Sequence, residues 1–219
     1  MNKTEIAREE KRREKLEKER VRIEGMKVYE KEYASCGFIC GIDEVGRGPL
    51  CGPVVAGAVI LDPNVEILYL NDSKKLSEKK REVLYDEIME KAIAVSVGIV
   101  DEKVIDEINI LQATYEAMRR AIEGLKTKPN ILLNDAVTIP EIDIKQVPII
   151  KGDAKSVSIA AASIIAKVTR DRMMKELDEK YPMYGLKSNK GYGTKEHIEA
   201  IKKYGPCEIH RRTFIKKFI

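Results

Sequence analysis

Two apolar runs, Phe38–Asp43 and Pro53–Leu61, flank the turn Val45-Gly46-Arg47-Gly48-Pro49. Runs of this length, rich in Val and Ile and bounded by Gly and Pro, read as buried strands. They sit close enough in sequence to form an antiparallel hairpin with a long turn. Downstream, Ser77 can cap a helix running to about Lys91, and Ile93, Val95, Val97 and Ile99 alternate as a third strand. A periodic helix is expected over Ile110–Glu123, stopped by Gly124, then short strands at Ile131–Leu133 and Val147–Ile150. A long helix follows over Ser156–Lys180, and Thr194 caps a last one ending at Gly205-Pro206. The order β-β-α-β-α-β-β-α-α predicts an α/β fold: a mixed sheet with helices packed on it.

Upstream of the hairpin, residues 1–35 are expected to form a charged helical extension, with Gly25 as its weak point. Glu5 with Arg8, Glu9 with Arg13 and Glu14 with Lys18 stand at helical spacing. Residues 36–219 are expected to form the main domain, ending in a basic helical segment. Net charge is +4, but Lys187–Ile219 carries nine basic and three acidic residues, so the rest is slightly acidic. Such a division suits cations held in one place beside a polyanion, and equally a solvated surface. Phe214, Ile215, Phe218 and Ile219 form an apolar helical face near the C-terminus that suits a core or a partner.

Composition excludes several classes. Hydrophobic residues at 43% support a core and rule out disorder throughout, collagen and a disulfide scaffold. No apolar run reaches the ~18 residues of a membrane span. Met1–Arg22 lacks the apolar segment of a signal peptide, so a cytoplasmic location with reduced thiols is expected. Cys36, Cys40, Cys51 and Cys207 include no CxxC pair, and His197 and His210 are the only histidines. A zinc site is not expected from this spacing.

Carboxylates carry the candidate chemistry. Asp43-Glu44 ends the first strand, where a regular strand points the two side chains to opposite faces. A turn beginning there, permitted by Gly46, would let both face one site. Asp135 closes the strand Ile131–Leu133, at the end where open α/β sheets place ligand groups, although alone it also reads as a turn residue. Asp171 continues the apolar line Val157, Ala161, Ile164, Val168 of the long helix, so it needs a cation or hydrogen bonds. Arg170, Arg172 and Lys175 are the nearby candidates for an ordinary ion pair. Four carboxylates and almost no histidine suit hard divalent cations, Mg²⁺ or Mn²⁺.

Further segments fit a polyanion groove, or plain surface loops. Asn71–Ser77 and Lys151-Gly152-Asp153-Ala154-Lys155-Ser156 each lead into a helix N-terminus, a natural phosphate seat. Lys190-Gly191-Tyr192-Gly193-Thr194 presents an aromatic ring between two glycines, able to stack on a sugar or base. The glycine turn lacks the Lys-Ser/Thr of a P-loop, and its spacing misses the dinucleotide fingerprint.

Taken together these segments resemble ribonuclease HII, the type 2 ribonuclease H. Gly41–Ala56, Asp72–Ser77, Lys151–Asp153 through Arg170-Asp171, Gly191–Thr194 and His210–Phe214 are similar to that family's successive blocks, in order. The resemblance implies a ribonuclease H-like catalytic domain over 36–219 and cleavage of RNA in RNA/DNA hybrids. It also implies incision 5′ of single ribonucleotides in duplex DNA, with 5′-phosphate and 3′-hydroxyl products. On it, Asp43, Glu44, Asp135 and Asp171 are the catalytic metal-binding carboxylates, for Mg²⁺ or Mn²⁺. Gly46, Arg47 and Gly48 sense the ribose 2′-OH, Tyr192 sits at the RNA–DNA junction, and Ser73, Lys74 and Lys75 contact phosphate. A monomer is expected. Three rival readings differ in the residues they require. A proofreading exonuclease would separate its first two carboxylates as Asp-x-Glu. A ribonuclease HIII-like enzyme would carry Gly-Thr-Gly in the turn. A non-catalytic hybrid-binding protein would not need four convergent acids.

Overall fold

In the computed structural model, which describes residues 3–219, β1 (Ile39–Val45) pairs antiparallel with β2 (Val54–Leu61), as the two apolar runs predict. β3 (Ala92–Val100) joins the far edge of β2, also antiparallel. β4 (Ile131–Asp135) and β5 (Lys145–Ile149) add in parallel on the β1 side. The sheet order is β3-β2-β1-β4-β5, a mixed sheet. The helices are α1 (Lys3–Gly25), α2 (Val28–Glu32), α3 (Glu78–Lys91), α4 (Glu102–Glu123), α5 (Val157–Lys180), α6 (Leu186–Asn189), α7 (Lys195–Tyr204) and α8 (Arg212–Ile215).

The centre of the sheet is buried on both faces, which is why β2 reads as a continuous apolar run rather than an alternation. On one face α4 packs Ala113, Ala117, Met118 and Ala121 against Ile42, Ala56 and Leu132. On the other, α5 and α3 contribute Ala160, Ala161, Ile164, Leu84 and Ile88 to a second cluster with Val59. α5 lies unusually close. A Cβ on Gly41 would come within 2.1 Å of the Ser158 backbone, and one on Gly57 within 2.5 Å of the Ala162 carbonyl. Glycines beneath an alanine-rich stretch thus let the helix descend onto the hairpin and bring Ser163 beside the end of β1.

Several boundaries differ from expectation, and β1 runs to Val45 rather than ending at Asp43. α4 begins eight residues earlier, where Asp101 Oδ1 accepts from Lys103 N and Val104 N. It breaks at Asn109 (φ 67°), whose own Oδ1 caps a fresh start at Leu111 and Gln112. β4 extends through Asp135, and β5 occupies 145–149 rather than 147–150.

The extension is helical, but its second half is built into the body. Residues 1 and 2 lie outside those described. Ile23 and Met26 are buried against the α5 cluster. Arg22 donates to the Leu70 carbonyl, and Glu19 accepts from Tyr69 N. Glu30 Oε1 accepts from Ser156 Oγ at 2.5 Å and from Ser158 N at 3.0 Å, a carboxylate at the N-terminus of α5. Losing such a cap costs about 1 kcal/mol, and a chain of this size shifts its Tm by about 2–4 °C per kcal/mol. Glu30→Ala is therefore expected to lower Tm by about 2–4 °C, and deletion of residues 1–34 by more. Thermal melts of the two variants check this, and equal melts for Glu30→Ala and the parent would discount the cap.

Of the C-terminal apolar face, Ile215 is buried, Phe214 and Phe218 pack on the Leu50–Tyr184–Ile201 cluster, and Ile219 is exposed. Core packing uses most of it.

Candidate active site

Asp43 and Asp135 stand at the carboxyl ends of two neighbouring parallel strands. The β1–β4 pairing ends at Ile42–Asn134, so each carboxylate is the next residue on its strand. β1 keeps its register with β2 through Val45. Convergence of Asp43 and Glu44 therefore does not arise from an early turn. Both border the end of β4, and the Asp135 charge acts on each of them.

The electrostatics show how crowded this edge is. Burial raises the Asp43 pKa well above the usual carboxylate range, and the Glu44 and Asp135 charges add to it. A hydrogen bond with Ser163 opposes them. Burial also raises Glu44, against the pull of Arg47, whose Nη1 lies 3.4 Å from Glu44 Oε1. Asp153 is pushed up to about 6, first by burial and then by Asp72 and Asp135. It stands in the short turn that follows β5, and Gly152 N donates to Asp135 Oδ1 at 2.7 Å. Burial disfavours the Lys74 ammonium, yet Asp43, Asp72, Asp153 and Asp135 together raise its pKa. One lysine thus faces four acids.

Asp171 is elsewhere in this network. It is buried, as the helical periodicity indicates, but its Oδ1 takes Lys167 Nζ at 2.6 Å and its Oδ2 lies 3.6 Å from Arg81 Nη2. None of the cations suggested by sequence proximity is its partner. Arg172 pairs with Glu82, Lys175 with Glu78, and Arg170 binds backbone carbonyls. Asp153, by contrast, stands beside Asp72 and Asp135, and Asp135 in turn acts on Asp43 and Glu44. The Asp153 segment was legible as a loop entering α5, but one Asp in a Lys-Gly-Asp turn has no burial pattern to mark it.

The remaining candidates surround this edge. Arg47 and Gly48 are exposed, and a Cβ on Gly48 would touch only Tyr192 Cε1, at 3.5 Å. The turn and the Tyr192 ring are therefore side by side. Ser73 is buried, its Oγ within hydrogen-bond distance of Ser163 Oγ at 2.8 Å, so its side chain braces the loop against α5. Asp72 caps the same loop by accepting from Lys74 N. Lys75 is exposed.

A family model for ribonuclease HII matches residues 40–217. The chain is 65% identical to the ribonuclease HII of Lachnoclostridium phytofermentans over 94% of its own length and 82% of that protein's. It is 62% identical to that of Bacillus subtilis over 86% and 74%.

The chain belongs to the ribonuclease HII family.

Among solved structures, ribonuclease H2 from Pyrococcus horikoshii is similar at a TM-score of 0.69 and 33% identity, over 82% of this chain and 96% of that one. Membership makes the chain a ribonuclease, a nuclease of the hydrolase class, and the ribonuclease H-like fold is the one described above.

Two other features stand apart from this edge. A cavity of about 460 Å³ lies between the extension and the sheet, lined by Ile23, Phe38, Ile60, Ile67 and Val157. None of the candidate carboxylates borders it. Cys51, His197 and His210 come together in the interior, all buried, though their sequence spacing suggests no metal site. The hydrogen bonds there decide the chemistry. His197 Nδ1 meets the Tyr192 carbonyl at 2.9 Å, so it carries the proton and leaves Nε2 as an acceptor. Cys207 N donates to His210 Nδ1 at 3.1 Å, so the His210 proton is on Nε2, 3.2 Å from His197 Nε2. Both rings are satisfied as a neutral pair, and burial followed by the His197 neighbour lowers His210 to about 4. The pair ties the Tyr192 loop to the C-terminal segment. No helix among the described residues is long and apolar enough to cross a membrane.

Proposed function

We propose that this ribonuclease cleaves the RNA strand of RNA/DNA hybrids and incises 5′ of single ribonucleotides in duplex DNA, giving 5′-phosphate and 3′-hydroxyl ends. The convergence of Asp43, Glu44, Asp135 and Asp153 on one sheet edge carries this reading. An all-oxygen donor set, in which burial and then neighbouring carboxylate charge raise the pKa of Asp43, Glu44 and Asp153, fits hard divalent cations, Mg²⁺ or Mn²⁺. These four residues would hold them, and Asp171 leaves the set because Lys167 and Arg81 already match its charge. Two such ions, when bound, supply activation of the attacking water and charge stabilisation at the leaving 3′-oxygen.

The chain's own groups do the rest. Ser163 and Gly152 N orient Asp43 and Asp135 through hydrogen bonds. Lys74 offsets part of the acidic charge that would repel a phosphodiester, and Lys74 and Lys75 suit contacts with flanking phosphates. The Gly46-Arg47-Gly48 turn recognises ribose by its 2′-OH, and Tyr192 stacks on the sugar across the junction. All these groups come from one chain, and we read the enzyme as a monomer.

The test is cleavage, with and without EDTA, of a duplex carrying one ribonucleotide and of a long RNA/DNA hybrid. Cleavage of both, lost in EDTA, is expected. Insensitivity to EDTA or inertness towards both substrates would sink the reading. Tyr192→Ala is expected to reduce kcat/KM on the single-ribonucleotide duplex more than on the hybrid. Stacking is worth roughly 1–3 kcal/mol, or roughly 5- to 150-fold. Equal losses on both would assign Tyr192 to general binding.

A further inference from the structure

Arg170 and Arg211 are the two largest fully buried side chains, and neither forms an ion pair among the described residues. Burial, followed by the charge of Arg170, pulls Arg211 down to about 10. A guanidinium without a carboxylate is costly in an interior unless hydrogen bonds replace the lost water. Arg211 engages backbone carbonyls with Nε and both Nη atoms. Nε donates to Gly52 O at 3.0 Å, and Nη1 to Arg47 O at 3.0 Å and Pro49 O at 2.9 Å. Nη2 donates to Gly46 O at 2.6 Å and Gly52 O at 2.8 Å. Arg170 continues the pattern, to Pro53 O, Cys51 O and Lys190 O. Leu50 N then donates to Gly191 O at 2.7 Å, which locks the turn to the Tyr192 loop.

In a trans peptide the C=O of one residue and the N–H of the next point in opposite directions, and no described peptide bond is cis. With the Gly46 and Arg47 carbonyls drawn onto Arg211, the Arg47 and Gly48 N–H groups face away from it. Neither N–H has a hydrogen-bond partner among the described residues. Both residues are exposed beside Tyr192.

We propose that Arg211 is the positioning residue for ribose recognition: by gathering the carbonyls of Gly46, Arg47, Pro49 and Gly52 inward, it aims the Arg47 and Gly48 amides at the sugar. The assignment rests on the reading above that this turn contacts the 2′-OH. Arg211 is fully buried, so it acts on the sugar only through the turn. A lysine there keeps the charge but has no planar fork to hold several carbonyls at once.

Ribose preference can be read with the active enzyme as the ratio of Ki for an all-DNA duplex, used as competitor, to KM for the same duplex with one ribonucleotide. Arg211→Lys is expected to lower this ratio about tenfold or more, because the amides lose their alignment. The loss should fall on KM, with Ki little changed and kcat affected less. Gly48→Ala is the control, since its methyl meets only Tyr192 Cε1 and sits beside the amide. If Gly48→Ala leaves the ratio unchanged, the turn is not the ribose site and the underlying reading fails. If Gly48→Ala collapses the ratio and folded Arg211→Lys preserves it, the role of Arg211 is overturned. Should Arg211→Lys not fold, amide exchange in the wild type decides. The Arg47 and Gly48 amides should exchange rapidly and Leu50, bonded to Gly191 O, slowly. Slow exchange at both Arg47 and Gly48 would overturn the proposal.

Discussion

Asp43→Asn and Asp135→Asn should each lower kcat by about a thousandfold or more, since a metal-assisted site supplies several kcal/mol of transition-state stabilisation. The fold should survive, and without divalent cations it should become more stable. Asp43 is forced by burial, Glu44 and Asp135 to hold its proton above the usual carboxylate range. A group whose pKa is raised on folding favours the folded state at low pH and ceases to do so as pH climbs through the raised value. Removing its charge therefore gains stability at high pH and almost none at low pH, where Asp43 is already neutral. Melts of the EDTA-treated proteins across pH, paired with cleavage assays in Mg²⁺, check both halves. Near-normal turnover in Asp43→Asn would remove it from the metal set. A metal-free Tm that falls relative to wild type at high pH would contradict the repulsion.

Asp153→Asn and Asp171→Asn should behave as opposites. Asp153 stands beside Asp135 and Asp72 and is half-buried. Its loss should abolish cleavage while stabilising the metal-free protein. Its pKa of about 6, against an ordinary 3.8, places that gain above the window between those values. After discounting for solvent screening it amounts to about 1 kcal/mol at pH 7.5 and vanishes towards pH 4. Asp171 is buried between Lys167 and Arg81. Removing its charge leaves two largely buried cations without an anion, a defect worth about 3–5 kcal/mol and a Tm loss of about 10 °C. Assayed well below its transition, Asp171→Asn should keep most of its kcat. The reverse pattern, a stable inactive Asp171→Asn beside an active Asp153→Asn, would restore Asp171 to the metal set.

This pair marks the boundary between local and long-range information. The 3.6-residue period of α5 marks Asp171 as core-facing, and the structure buries it. Periodicity says which way a side chain points, not what waits there. Here it is Arg81, delivered by α3 from 90 residues earlier in the chain. Asp153 has no period, because it lies in a turn, and only the parallel pairing of β5 with β4 brings that turn to Asp135. Asn109 is an intermediate case. Its capping of Leu111 made the helix start near 110 readable, while the segment before it, capped by Asp101, is too short to show a period of its own.

The family motifs, the succession of strands and main helices along the chain, and the candidate acids Asp43, Glu44 and Asp135 are legible in the sequence. Those features are encoded by contiguous residues: apolar runs, capping side chains, and motifs long enough to be specific in order. Tertiary contacts set the place of Asp153 beside Asp135, the integration of the extension through Glu30 and Ile23, and the burial of Arg211 under the glycine turn. Each of these depends on a contact across tens of residues or more. Whether a charge is matched, bared or put to use is set by its partner, and the chain must fold before that partner arrives.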